Sequence, residues 1–343
     1  MLTHQDKLIL YALTVNCRFP YSTISKIANL KPQTVKSRIE WMEKEGIIDK
    51  YYITVFKSSV GIIRYADMFL KGKFTQEQID KIAQIPEVGR LTSFHGNYQL
   101  IATLNSPTNE RASEVVSEIR SILKNDLESY DTLETSKSRY LQRLFFLDKE
   151  EESIYDLNPN GSFQKKIMLF KPNFPLGVED LDETDLSILE KLRHNAISPL
   201  NELSERVGAS RITVEKKIVS LIERGIVGYF TVNLDYSKMG YQKFFVGFNT
   251  NDRNKVLEHI KQNRHAHSHY EYKSKWDLAI TFFYKDSRDM FAYLRELQEK
   301  CTGLINSYDI LTATEEHKFE SFQDKLSKVY AEVRGLVAVG VVV

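Results

Sequence analysis

The sequence predicts an α+β chain built twice over: two winged helix-turn-helix domains, each followed by a ferredoxin-like βαββαβ domain. Three observations predict it. Leu2 to Gly61 overlies Leu181 to Gly240 without a gap. Each of these segments shows a helical hydrophobic period three times and then short runs rich in Ile, Val, Tyr and Thr. The rest of each half alternates strand-like and helix-like stretches.

The repeat is anchored along its whole length. Asp6, Ile9-Leu10, Leu13, Asn16 and Ser25 fall on Asp185, Ile188-Leu189, Leu192, Asn195 and Ser204. Thr34-Val35, Ile39, Gly46-Ile47 and Gly61 fall on Thr213-Val214, Ile218, Gly225-Ile226 and Gly240. After one small deletion the register recovers, with Tyr98 and Leu100 over Trp276 and Leu278.

In the first helix of each copy, Ile9, Leu10 and Leu13 (Ile188, Leu189 and Leu192) form the apolar stripe. Thr3 or Asp182 stands at the N-cap, with Asp6 or Asp185 three residues on. A shorter second helix carries Ile24, Ile27 and Ala28 (Leu203 and Val207), and Ser198-Pro199 supplies a cap and a first helical position in copy two. A tight turn follows at Asn29-Leu30-Lys31 or Gly208-Ala209-Ser210. The third helix buries Val35, Ile39 and Met42 (Val214, Ile218 and Leu221) and stops at Gly46 or Gly225. Two short strands are expected next as a β-wing.

In copy two the remainder reads as strand at Lys243 to Phe248, helix at Asn254 to Asn263 and strands at His267 to Tyr272 and Asp277 to Tyr284. Helix at Ser287 to Lys300 and strand at Ser307 to Thr314 complete the split βαββαβ order. The expected domains are 1–57 and 181–236 for the helix-turn-helix copies and 58–149 and 237–318 for the ferredoxin-like copies. An acidic, Pro- and Asn-containing linker spans 150–180, and a helical tail occupies 319–343. In the tail, Phe322, Leu326, Val329, Val333 and Leu336 form a short stripe at alternating four and three spacing, expected to pack on a neighbour.

Composition supports globular cores: 343 residues, 42% hydrophobic, 27% charged and eight prolines. Cys17 and Cys301 lie in opposite halves and form no disulfide pattern. No leader pattern or membrane-length apolar run appears, so a soluble cytoplasmic setting is expected. The formal net charge of +1 carries no bulk argument for a polyanionic partner. Its distribution differs between the copies, with nine Lys or Arg against five Asp or Glu over 1–57 and seven against nine over 181–236.

With the apolar side of the third helix turned inward, copy one offers Lys31, Gln33, Thr34, Lys36, Ser37 and Arg38 to the outside. Copy two offers Ser210, Arg211, Thr213, Lys216 and Lys217, interrupted by Glu215. Short polar and cationic side chains on such a helix suit phosphates and base edges of duplex DNA. Because the two surfaces differ, an asymmetric operator is expected.

Four of the eight histidines lie between His259 and His269, and the alternation of His265, His267 and His269 puts three imidazoles on one face of a strand. No cysteine or carboxylate pair completes a metal shell there, so a solvated or paired cluster is the reading and no metal is assigned. No nucleotide loop, hydrolase motif or metalloprotease motif is present, and no catalytic residue or cofactor is assigned.

Leu181-Asp182-Glu183-Thr184-Asp185 with Ile188-Leu189, Leu203-Ser204 through Ser210, Thr213-Val214, Ile218, Glu223-Arg224-Gly225-Ile226 and Gly240-Tyr241 together resemble the Lrp/AsnC family of feast/famine regulators. The resemblance implies a non-enzymatic DNA-binding transcription regulator in a tandem two-unit form, whose α+β (RAM-type) domains pair through their sheets. It therefore implies either a homodimer or a covalent pseudo-dimer. It also implies an amino-acid-like effector near a Gly-x-Tyr-Asp turn, which maps to Gly96 and Tyr98 in copy one and to Trp276 and Asp277 in copy two. Each copy keeps only part of that turn. Sirohaem decarboxylases resemble the same family, and Ser268-His269-Tyr270 with Trp276 is similar to their His- and Tyr-bearing site, though no matching arginine accompanies it.

Overall fold

The computed structural model describes residues 2–62, 64–141, 145–147, 177–320, 322 and 326–338. Copy one begins with helices α1 (His4–Val15), α2 (Tyr21–Ala28) and α3 (Pro32–Lys44) and strand β1 (Ile48–Val55). It continues through β2 (Arg64–Gly72), α4 (Gln76–Ala83), β3 (Val88–His95), β4 (Leu100–Ser106), α5 (Asn109–Leu123) and β5 (Leu127–Tyr140). Copy two repeats the order as α6 (Glu183–His194), α7 (Leu200–Val207), α8 (Arg211–Glu223), β6 (Val227–Leu234), β7 (Gln242–Thr250), α9 (Arg253–Ile260), β8 (Ala266–Tyr272), β9 (Leu278–Tyr284), α10 (Ser287–Lys300) and β10 (Ile305–Phe319). Helix α11 (Leu326–Ala338) closes the described chain.

These elements sort into two units, each drawn from both copies. The first comprises 1–63, 146–235 and 321–343; the second comprises 64–145 and 236–320. Most of the expected linker, the side chain of Leu336 and the last five residues lie outside the described residues.

In the first unit, capping boxes start α1 and α6: Thr3 and Asp182 each accept from the amide three residues on, and Asp6 and Asp185 reach back to the cap amides. Helices α2 and α7 begin one residue later than the sequence reading placed the second, with Pro199 at the N-cap instead of at the first helical position. Its ψ of 145 is extended, so the cap makes no side-chain bond and Leu200 is the first helical residue. Asn29 and Gly208 end these helices in the left-handed conformation.

The expected two-stranded wing within each copy is corrected. Each copy contributes one strand, and β1 pairs antiparallel with β6, with Ile48 opposite Leu234 and Tyr52 opposite Thr231. A single strand has no backbone partner of its own. The repeat supplies one in the other copy. The pairing interlocks the two headpieces, because α1 packs on β6 and α6 on β1. Arg18 seals the crossing, donating to the carbonyls of Ala196 and Ser198 at 2.7 Å each and covering the Phe230 ring at 5.2 Å. Beside it, burial pushes the Cys17 thiol up to about 12, so this cysteine packs as an inert apolar group.

The described part of the tail stripe packs on a neighbouring helix, with Val329 half-buried. Phe322, Leu326 and Val333 are buried, α11 lies on α6, and the Tyr330 hydroxyl donates to the Glu179 carbonyl and accepts from the Leu181 amide.

In the second unit eight antiparallel strands close into a barrel in the order β10-β3-β4-β2-β5-β8-β9-β7. Each copy supplies a ferredoxin-like set of four, and the two sets join at the β5–β8 and β10–β3 seams. Alternation along the strands sends Met68, Leu70, Leu100 and Ala102 outward under α4 and α5, and Val246, Phe248, Ile280 and Phe282 outward under α9 and α10. The inward set, including Phe69, Phe94, Tyr98, Phe245, Tyr272 and Trp276, fills the barrel with aromatic rings. Closure removes the free sheet edges that each half alone would present, so the α+β domains pair within one chain. No described helix is long and apolar enough to cross a membrane.

Candidate nucleic-acid interface

Helices α2 and α3, with the turn at Asn29 and Leu30, form the helix-turn-helix of copy one. Val35, Ile39 and Met42 are buried, which fixes the roll of α3 and leaves Lys31, Gln33, Thr34, Lys36, Ser37 and Arg38 exposed, as expected from the period. Lys31 at the N-cap makes no side-chain cap, so the first-turn amides face outward with the positive end of the helix dipole. Lys36 stands 3.7 Å from Glu40 one turn on, in a loose exposed pair, and the Ser37 hydroxyl donates to the Gln33 carbonyl at 3.1 Å.

Arg38 behaves differently. Its guanidinium lies 3.3 Å from Asp6, which is fully buried at the start of α1. Under the repeat, Arg38 corresponds to Lys217, and that ammonium group donates to Asp185 at 3.2 Å and to Asp182 as well. In both copies the cation at this position ties the third helix to the capping box of the first. Arg38 and Lys217, both expected on the reading surface, are each engaged in a pair within the chain.

Copy two presents Arg211, Thr213 and Lys216 at the exposed side of α8. Ser210 caps the helix, accepting from the Thr213 amide at 3.1 Å and sharing a 2.8 Å hydroxyl contact with Thr213. The amide that copy one leaves open is thus covered here. Sequence reasoning missed Ile212, which is 67% exposed between Arg211 and Thr213. Its place over Gln33 in the repeat was the available signal.

Of the candidate effector residues, Tyr98 and Trp276 come together inside the barrel, whereas Gly96 is exposed in the turn after β3 and Asp277 is half-buried in the turn before β9. Tyr98 and Trp276 lie 5.9 Å apart, edge to face, and Trp276 packs 5.1 Å from Phe69 and directly over Gly247. A Cβ at Gly247 would sit 2.3 Å from the indole. The Trp276 indole donates to Asp309 at 2.9 Å, and the Tyr98 hydroxyl donates to Asp131. The Lys275 ammonium covers both rings, at 4.5 Å from Tyr98 and 4.4 Å from Trp276. Gly96 takes φ +141, and a Cβ there would meet Leu311 at 2.6 Å. Asp277 accepts from the Thr250 amide at 2.8 Å and from its hydroxyl at 2.6 Å.

The three alternating histidines do not share one face. A register shift between Ala266 and Ser268 resets the alternation of β8. His265 stacks on Tyr284 at 4.3 Å, His267 lies against Phe283 and Phe145, and buried His269 pairs with Glu271 at 3.5 Å. Among the described residues no group of three His, Cys, Asp or Glu is placed to hold a metal ion.

The winged helix-turn-helix DNA-binding family matches residues 2–49 and again 181–227. The chain is similar to the HTH-type transcriptional regulator LrpA of Pyrococcus horikoshii, 36% identical over 61 residues, which are 18% of this chain and 43% of that protein. It is also similar to the LrpA of Pyrococcus abyssi, 25% identical over 122 residues covering 34% of this chain and 84% of the relative. The chain thus spans less than half the length of the first of these relatives. At the level of fold, the sirohaem decarboxylase NirDL matches 98% of this chain and 99% of its own at a TM-score of 0.57, with 14% identity.

Proposed function

We propose that this chain, a tandem form of the Lrp/AsnC type, is a sequence-specific DNA-binding transcription regulator that reads two unlike half-sites. The observation that carries the reading is the pairing of two winged helix-turn-helix segments in one unit, each with its third helix rolled so that a polar, cationic side is exposed. Interlocked strands β1 and β6 hold the two reading helices as one body, which suits simultaneous engagement of neighbouring stretches of duplex. Lys31 and Lys36 serve phosphates and Gln33, Thr34 and Ser37 face base edges in copy one, while Arg211, Thr213 and Lys216 do so in copy two.

We assign the barrel to assembly. An amino-acid-like effector at Gly96, Tyr98, Trp276 and Asp277 would have to displace packed rings, and Asp277 is already satisfied by Thr250. A cytoplasmic setting belongs to the same proposal.

The whole-chain likeness to NirDL favours one second reading, an enzyme acting on sirohaem. The residues that would carry it are already engaged within the barrel unit. His269 pairs with Glu271, whereas Tyr270 and Trp276 belong to the aromatic filling of the barrel. Titration with sirohaem separates the two readings: the regulator account expects no saturable shift of the tetrapyrrole absorption bands.

The direct test is binding of the full chain to duplex DNA as a function of salt. Wild-type protein binds at low ionic strength with a log–log salt slope set by its phosphate contacts, and Lys36→Ala lowers that slope by about 1. No binding to any duplex at low salt, or unchanged affinity and slope in Lys36→Ala, overturns the proposal.

A further inference from the structure

Ile212 is the most exposed large hydrophobic residue among the described residues, 67% exposed against 45% for the next, Phe291. A lone exposed apolar side chain is ordinarily unremarked. This one stands in the first turn of α8, at the position where α3 carries Gln33. Folding gains little from it there, since Val214, Ile218 and Leu221 already bury the inner face of the helix.

We infer that Ile212 is a specificity-determining residue that packs on the 5-methyl group of a thymine in the major groove. The inference rests on the DNA-binding reading above and names what one of its two helices recognises. Three observations converge on this occupant. The flanking Arg211 and Lys216 are exposed cations and outnumber the one half-buried acid beside them, Glu215, so the surroundings fit a polyanion better than an apolar protein surface. The thymine methyl is the one apolar group that base pairs display in the major groove. The side chain is β-branched and stiff within a helix, so little rotamer freedom is lost on contact.

Copy one differs at this position in the chemistry it offers. The Gln33 amide donates and accepts, which matches the N6 and N7 of adenine. The two helices therefore read different bases at equivalent places: adenine by hydrogen bonds in copy one, and the methyl-bearing edge of thymine in copy two. Cytosine and uracil lack that methyl and are rejected by contact alone.

The test uses the full chain and the best duplex that it selects in vitro. Each thymine of that duplex is replaced singly by deoxyuridine, which removes the methyl and keeps the base pair, and affinity is measured for wild-type protein and for Ile212→Ala. At one thymine the wild type loses about fourfold, equivalent to ~0.8 kcal/mol for a group of methylene size, and Ile212→Ala shows no such loss. Ile212→Gln shifts the selected base at that position towards adenine. Insensitivity of the wild type at every thymine, or an equal loss in Ile212→Ala, overturns the inference while leaving DNA binding intact. So does a change of oligomeric state in Ile212→Ala with the deoxyuridine response unchanged, because a second protein copy is then the occupant. Failure of selection to enrich any sequence overturns the underlying reading and this inference together. Ile212 is exposed, so an unchanged melting temperature verifies that the variants fold.

Discussion

At the scale of single residues, two cations on one helix have different duties. Lys36 has only an exposed, loosely paired neighbour, whereas Arg38 answers a carboxylate that lies fully buried. Removing one partner of a pair that shelters a buried charge costs more than removing a surface cation, and the 44% exposure of the Arg38 side chain moderates that cost. Arg38→Ala is expected to destabilise the first unit by about 1–2 kcal/mol in denaturant unfolding, while Lys36→Ala stays within about 0.5 kcal/mol. Equal stability of the two variants would contradict the distinction. Sequence periodicity showed which side of α3 is exposed but not that Asp6, 32 residues away, waits beneath one edge of it. The pairing of Lys217 with Asp182 and Asp185 was hidden for the same reason, because a helical period carries no information about partners on another helix.

At the scale of elements, strand β8 and the residue that leads into it make stability sensitive to pH. Burial holds the imidazoles of both His265 and His269 below their ordinary value of 6.5. Around His269, Glu271 opposes that shift and Lys137 and Lys261 reinforce it. The unfolded chain takes up protons near pH 6.5 that the folded chain refuses, so stability is complete above that pH and declines as pH falls below it. The melting temperature should therefore be level from pH 8 to 7 and drop between 6.5 and 5, with a shallower drop in His269→Gln. A melting temperature that rises over that interval would contradict the placement of these rings. The strand itself was legible within a residue or two, as were β9 and α10, because alternation and helical period persist over whole elements, while α9 stops three residues before the expected end at Asn263. The shared face of three histidines was not legible, since one register shift reverses every side chain beyond it. The wing failed for a related reason. A run rich in Ile, Tyr and Val shows that a strand forms, but not whether its partner is the next strand or its repeat 179 residues away.

At the scale of the whole molecule, the repeat was legible as a tandem, and the structure shows what the tandem accomplishes. Both β1–β6 and the two barrel seams join one copy to the other, so the pairing of the two copies is made within one chain. Covalent joining makes those contacts independent of protein concentration. The melting temperature should stay constant over a hundredfold dilution; a midpoint that rises with concentration would show that assembly between chains is required for the fold. The joining also frees the copies to diverge. The effect is visible where Lys31, Gln33 and Lys36 face Ser210, Ile212 and Glu215 in the alignment of the two helices.

That divergence makes the bound sequence the decisive observable. Selection of duplexes by the full-length chain from a random pool should return two unlike half-sites at one fixed spacing, occupied by one chain per site. A perfect palindrome bound by one chain, or a pool that never departs from random, would contradict the account.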